Sequence, residues 1–151
     1  MKIDNINKKI IFLLQKDARI TYKEIAAELK RSETTIRDRI KAMERIGIIQ
    51  GYTVLIDKTA LGLNFFAMIF ANPVSSIDLD SITEKIKNVK NVMRVYQISG
   101  HHRIAIFMVA PSYKELKEII KSQLLPLGLK DEEIVAVLEA DQEFISPLEI
   151  P

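Results

Sequence analysis

Cysteine and tryptophan are both absent from the 151 residues. Without cysteine there are no disulfides, no CxxC redox chemistry and no thiolate zinc sites, and the chain suits a reducing compartment. Only five glycines are present, and none of them builds a Gly-rich phosphate loop; no Ser/His/Asp arrangement accompanies them. No apolar run approaches the roughly 20 residues of a membrane span. The opening MKIDNINKK has no apolar stretch of the secretory kind, so a cytoplasmic chain with no membrane partner is expected. No cofactor is expected either.

What is present is 48% hydrophobic and 28% charged residues, a balance that builds a packed core. The net charge of +2 is small, but it is unevenly spread: residues 1–50 hold 12 Lys and Arg against 7 Asp and Glu, and residues 51–151 hold 10 against 13. The first third is therefore the candidate for a polyanionic partner.

That basic segment has the periodicity of three helices. Asp4 is placed to cap the first, whose stripe is Ile6, Ile10, Leu13 and Leu14. Ile11 and Phe12 fall off this stripe and predict a second contact, with a partner subunit or another domain. Thr21-Tyr22-Lys23-Glu24 is a capping box opening a short second helix through Leu29. Lys30-Arg31 makes a turn, Ser32 caps a third helix carrying Ile36, Ile40 and Met43 inward, and Gly47 stops it. A short helix, a tight turn and a longer helix form a helix-turn-helix. Ile48–Ile56 reads as a strand leading out of this domain, and Asp57–Leu63 as a hinge.

From Asn64 the pattern becomes strands alternating with helices. Phe65–Ala71, Val92–Ser99 and Ile104–Val109 are expected strands, with a last one beginning at Ile134–Leu138. Leu79, Ile82, Ile86 and Val89 mark one helix; Ser112 with Glu115 caps another bearing Leu116, Ile119, Ile120 and Leu124. A weak internal repeat relates Pro73-Val74-Ser75-Ser76 to Ala110-Pro111-Ser112-Tyr113. The order βαββαβ is the ferredoxin-like arrangement. The expected fold is thus α+β, with a helix-turn-helix domain at 1–50, a linker strand and hinge at 51–63, and a ferredoxin-like oligomerisation and effector domain at 64–151.

With Ile36 set at 0° on the third helix, Ile40 and Met43 lie within about 40° of it, and Thr34, Asp38, Lys41 and Arg45 lie opposite. Ser32, Thr34, Thr35, Arg37 and Asp38 are suited to base edges, with Arg37 able to bond a guanine bidentately. Lys41 and Arg45 suit phosphates. Arg39, at about 300°, flanks the buried stripe and reads as structural, paired with Asp17. The expected ligand is double-stranded DNA.

These residues carry a resemblance to a known family. Ile6-Asn7-Lys8-Lys9-Ile10-Ile11, Leu14-Gln15-Lys16-Asp17-Ala18-Arg19, Glu24-Ile25-Ala26, Ser32, Thr35-Ile36-Arg37-Asp38-Arg39-Ile40, Gly47-Ile48-Ile49-Gln50-Gly51-Tyr52 and Ala60-Leu61-Gly62 together resemble the Lrp/AsnC (leucine-responsive, feast/famine) transcriptional regulators. The resemblance implies a winged helix-turn-helix on a ferredoxin-like domain that dimerises, often on to octamers. It also implies pseudo-palindromic DNA sites and amino-acid effectors bound between dimers. A two-fold protein contacts half-sites about one helical turn, roughly 34 Å, or a multiple of it apart.

The chain departs from that family at the effector turn, which usually reads Gly-Asp with a second acid two residues on. Here it is Gly100-His101-His102-Arg103, and the hydroxyl residues often found early in the last strand are replaced by Asp131-Glu132-Glu133-Ile134. Three readings stand: an anionic effector on Gly100–Arg103, closure of the site by pairing of His101 or Arg103 with Glu132 or Glu133 of another subunit, or solvated surface. A pH-sensitive assembly follows from the histidines. Adjacent histidines alone make no metal site. Siroheme decarboxylases resemble the same family, but their Asn-x-Trp-Phe-like stretch is replaced here by Ile104-Ala105-Ile106-Phe107, so no enzyme is expected. A third class is an architectural protein that wraps DNA with little sequence preference.

Overall fold

The computed structural model describes residues 3–139, 147 and 150, which fall into two compact units, 3–55 with 147 and 150, and 56–139. The end of the expected second domain, at 140–146, 148, 149 and 151, lies outside the described residues.

The first unit is built on three helices, α1 (Asn5–Lys16), α2 (Tyr22–Leu29) and α3 (Glu33–Arg45). Each begins where a side chain takes up free backbone amides: Asp4 accepts from Asn7 N, Thr21 and Glu24 form the reciprocal capping box, and Ser32 accepts from Thr35 N. Lys30 ends α2 in the left-handed conformation, at φ +51°, and Gly47 follows α3 at φ +75°. Ile10, Ile25, Ile36, Ile40 and Met43 are fully buried together, with Ile6, Leu13, Leu14, Leu29 and Ile49 around them. Ile11 also packs on this core, half-buried. Phe12 remains exposed, with the Lys16 ammonium 4.4 Å above its ring centroid.

The strand expected over Ile48–Ile56 does not form. The amides of Ile48 and Ile49 both donate to Met43 O at the end of α3, and 50–56 has no regular structure. Alternation of β-favouring side chains is only half of what a strand requires; the other half is a neighbour for its amides and carbonyls, and none of the described strands pairs with this segment. Val54 and Leu55 are 79% and 65% exposed. The hinge contains a single 3-10 turn, Thr59–Leu61, started by Asp57, whose carboxylate accepts from Ala60 N.

The second unit carries β1 (Phe65–Pro73), α4 (Leu79–Ile86), β2 (Val92–Gln97), β3 (Ile104–Ala110), α5 (Tyr113–Ile119) and β4 (Leu129–Ala136). The strands form one antiparallel sheet in the order β2-β3-β1-β4. Alternate residues of β1 (Ala67, Ile69, Ala71) and β3 (Ile104, Ile106, Met108, Ala110) meet Ile82 and Ile86 of α4 and Leu116 of α5 in a single core. After Ile119 the chain widens into a π turn over Ile120–Leu124 and tightens into a 3-10 turn over Leu125–Leu127. Gly128, at φ +96°, then leads into β4; a Cβ there would collide with Ile77 Cδ1.

β4 begins five residues earlier than the expected Ile134. Its first half is the exposed run Lys130-Asp131-Glu132-Glu133, on an edge strand where charge is tolerated and discourages pairing with other chains. Asp131 is at φ +54°, and the register against β1 shifts between Phe70 and Asn72. The apolar alternation that marks a strand is therefore confined to its second half.

Candidate nucleic-acid interface

The helix-turn-helix places α3 so that its apolar stripe is buried and the opposite side is open. Thr34, Asp38, Lys41 and Arg45 are exposed, as are Ser32 and Arg37, while Thr35 is half-buried. Ser32 and Thr35 act mainly on each other: Thr35 N donates to Ser32 Oγ at 3.1 Å, and the two hydroxyls share a hydrogen bond of 2.7 Å. Arg37 Nη2 donates to Glu33 Oε1 at 2.9 Å, and its guanidinium carbon lies 5.7 Å from the Tyr22 ring centroid. The spacing of Glu33 and Arg37, one helical turn apart, was open to reading in the sequence; the involvement of Tyr22 from α2 was not.

Arg39 departs from its expected partner. Its Nη1 donates to Asp4 Oδ2 at 2.7 Å and to Asn7 Oδ1 at 2.9 Å, both at the start of α1, while Asp17 accepts from Arg19 N instead. Helix rotation gives the side of α3 on which Arg39 stands; it does not say which end of α1 crosses there. Asn7 is buried, so the guanidinium satisfies a side-chain oxygen that water does not reach. The Asn7 amide, then Arg39, hold the Asp4 carboxyl below the usual range. In the same unit the Tyr52 hydroxyl donates to Glu44 Oε1 at 3.0 Å. Burial, then the Glu44 carboxylate, push the Tyr52 phenol up to about 12.

The turn Gly100-His101-His102-Arg103 joins β2 to β3. Asn72 of β1 ties it down, donating through Nδ2 to His101 O at 3.2 Å and accepting from Arg103 N at 3.0 Å through Oδ1. His102 lies 15% exposed, with Nε2 3.3 Å from Glu133 Oε2 of the same chain and its ring 6.1 Å from that of Phe70. Its Nδ1 is buried with no hydrogen-bond partner among the described residues. Within the chain it is His102 that faces Glu133, a pairing absent from the three readings of this turn. The one-residue shift at the β1–β4 bulge, invisible in the sequence, brings Glu133 opposite Phe70. His101 and Arg103 are exposed.

A buried-stripe helix-turn-helix followed by a ferredoxin-like domain defines a two-domain regulator of the DNA-binding class. Residues 3–50 match the winged helix-turn-helix DNA-binding model, and residues 64–140 match the Lrp/AsnC ligand binding domain. The chain belongs to the Lrp/AsnC family of HTH-type transcriptional regulators. It is 35% identical over 127 residues to the HTH-type transcriptional regulator LrpA of Pyrococcus horikoshii, covering 81% of this chain and 86% of that one. The structure of Escherichia coli AsnC superposes with a TM-score of 0.85 at 26% identity, over 97% of this chain and 100% of that one. That of a Neisseria meningitidis transcriptional regulator in complex with L-methionine does so with a TM-score of 0.87 at 20% identity, over 96% of each chain.

Proposed function

We propose that this regulator binds pseudo-palindromic double-stranded DNA in the cytoplasm as a homodimer or a higher oligomer such as an octamer, with α3 in the major groove. The observation that carries this reading is the division of α3 into a buried stripe, Ile36, Ile40 and Met43, and an exposed side bearing Thr34, Asp38, Lys41 and Arg45 with Arg37 on its flank. Arg37 reads a base, with Thr34 and Asp38 beside it. Ser32 and Thr35 approach the DNA at the helix N-terminus, and Lys41 and Arg45 contact phosphates. The role is binding and not catalysis.

Oligomerisation is supported by the sheet face that α4 and α5 leave open. Phe66, Met68, Phe70 and Phe107 stand there half-buried, and the Phe107 ring lies 5.6 Å from Tyr96 and 6.2 Å from Phe66. A contiguous apolar face of this kind suits a second copy of the chain.

The turn Gly100–Arg103 takes a small-molecule effector. With His102 engaged by Glu133, exposed His101 and Arg103 give the turn a basic character that favours an anionic group over an ammonium. The test is selection of preferred DNA from a random pool, repeated with amino acids and with carboxylate or phosphate metabolites. An enriched two-fold motif is expected. Binding of equal strength to every sequence would instead indicate an architectural, DNA-wrapping protein.

A further inference from the structure

Arg37 is held in place by two residues that need never touch DNA. Glu33, the first residue of α3, is one turn before it and accepts from its Nη2 at 2.9 Å; Tyr22, the first residue of α2, lies beneath its guanidinium. Both members of the ion pair are about half exposed, at 44% and 47%, and a pair so solvated adds little to folding stability. Its effect is on geometry. A free arginine on a helix surface explores many rotamers, whereas this one is tied at one amino group and laid on an aromatic face.

Tyr22 is itself fixed. The Thr21–Glu24 capping box sets the start of α2, with Glu24 Oε2 accepting from Thr21 N at 2.7 Å, and the Tyr22 ring packs against the helix-turn-helix core. The Glu33 carboxylate sits in the first turn of α3, where the helix dipole favours a negative charge. The guanidinium has five N–H donors. Glu33 takes one of them, so an edge remains for the O6 and N7 acceptors of a guanine. A carboxylate beside the reader also repels phosphates, which weakens binding that ignores sequence.

We propose that Glu33 and Tyr22 are positioning residues for Arg37: they present one edge of its guanidinium to a base and thereby set discrimination at one step of each half-site. This rests on the reading of Arg37 as the base contact. Neither residue is needed for general affinity, and removing the Glu33 charge raises attraction to any DNA.

The experiment uses the full chain and its selected DNA site. Affinity is measured for that site and for single-base variants at every half-site position, alongside the melting temperature, for Arg37→Ala, Glu33→Gln and Tyr22→Leu. Arg37→Ala flattens the preference at one position. Glu33→Gln is expected to flatten the same position by up to about fivefold, the order expected for an exposed ion pair, with a melting temperature lowered only slightly by loss of the first-turn charge and equal or tighter binding to random DNA. Tyr22→Leu, which changes no charge and removes packing on the core, is expected to flatten the same position in the fraction that folds, at a lower melting temperature and with unchanged binding to random DNA. If Arg37→Ala flattens that position and Glu33→Gln leaves it within twofold, the positioning role is wrong and the base contact stands. If Arg37→Ala changes no preference, both are wrong. A uniform loss in Glu33→Gln accompanied by a lower melting temperature also overturns the proposal, since it marks a structural role.

Discussion

Arg39 of the third helix donates at 2.7 Å to Asp4, the residue that caps the first. The same guanidinium nitrogen reaches Asn7, which is buried, so one side chain joins the helix bearing the exposed polar face to the cap of the helix that supports it. Removing the donor leaves a buried amide oxygen unsatisfied, a cost of about 1–3 kcal/mol. Arg39→Ala is therefore expected to lower the melting temperature while leaving the pattern of base preference intact. Arg39→Lys, a compact ammonium without the planar fork, should fall between. A changed base preference with unchanged melting would place Arg39 on the DNA.

The caps of α1 and α2 make this unit sensitive to acid. Asp4 is held low by the Asn7 amide and then by Arg39, and Glu24 by the Thr21 hydroxyl and then its amide. A carboxyl whose folded value is depressed contributes stability that is complete above its unfolded value, near pH 4, and that is lost as the pH falls through the lower folded value. Asp4→Asn and Glu24→Gln should each be less stable than the parent at neutral pH, and the difference should close in acid. Thermal melts from pH 7 to pH 2.5 check this; a gap that stays constant with pH would contradict it.

In the second unit, Gly128 stands where neither backbone nor space admits a side chain. At φ +96° an L residue is strained, and its Cβ would meet Ile77 Cδ1 and lie 3.3 Å from Val74 Cγ2. Gly128→Ala is expected to cost about 1–3 kcal/mol. Ile77→Val removes the colliding methyl, so in the double variant the steric part should be recovered and the backbone part should remain. A double-mutant cycle by denaturant unfolding measures that coupling; simple additivity would show the clash to be absent.

The parts of this fold that were legible in the sequence are those governed by neighbours along the chain. Asp4, Thr21, Ser32 and Ser112 cap helices as their spacing implies, and the 3.6-residue stripe of Ile36, Ile40 and Met43 is the buried one. The misreadings are all matters of what lies opposite. Ile48–Ile56 has the residues of a strand and no neighbour among the described strands; β4 starts early because its edge position accepts charge at 130–133. Arg39 pairs with Asp4 in place of Asp17 through the crossing of two helices. The approach of His102 to Glu133, 31 residues apart, was likewise not open to reading from spacing, since strand register sets it. Periodicity specifies a face, and only packing specifies its partner.

The exposed side of α3 separates affinity from selectivity, and ionic strength distinguishes them. Lys41 and Arg45 stand on the face opposite the buried stripe, beyond the N-terminal residues that would reach base edges. A lysine that neutralises a phosphate releases a condensed counterion, and each such contact contributes about −0.9 to the slope of log affinity against log salt. Lys41→Ala and Arg45→Ala should each lower that slope by about one and weaken binding to all sequences equally. Arg45 is also the basic residue of the last turn of α3, where the helix dipole favours it by roughly 0.3–1 kcal/mol, so its variant should melt slightly earlier and the Lys41 variant should not. Titrations of selected and scrambled DNA between 50 and 300 mM salt, a range chosen so that a change of about one is resolved, make the comparison. A loss that depends on sequence would move Lys41 from the phosphates to the bases and require α3 to be rotated in the groove.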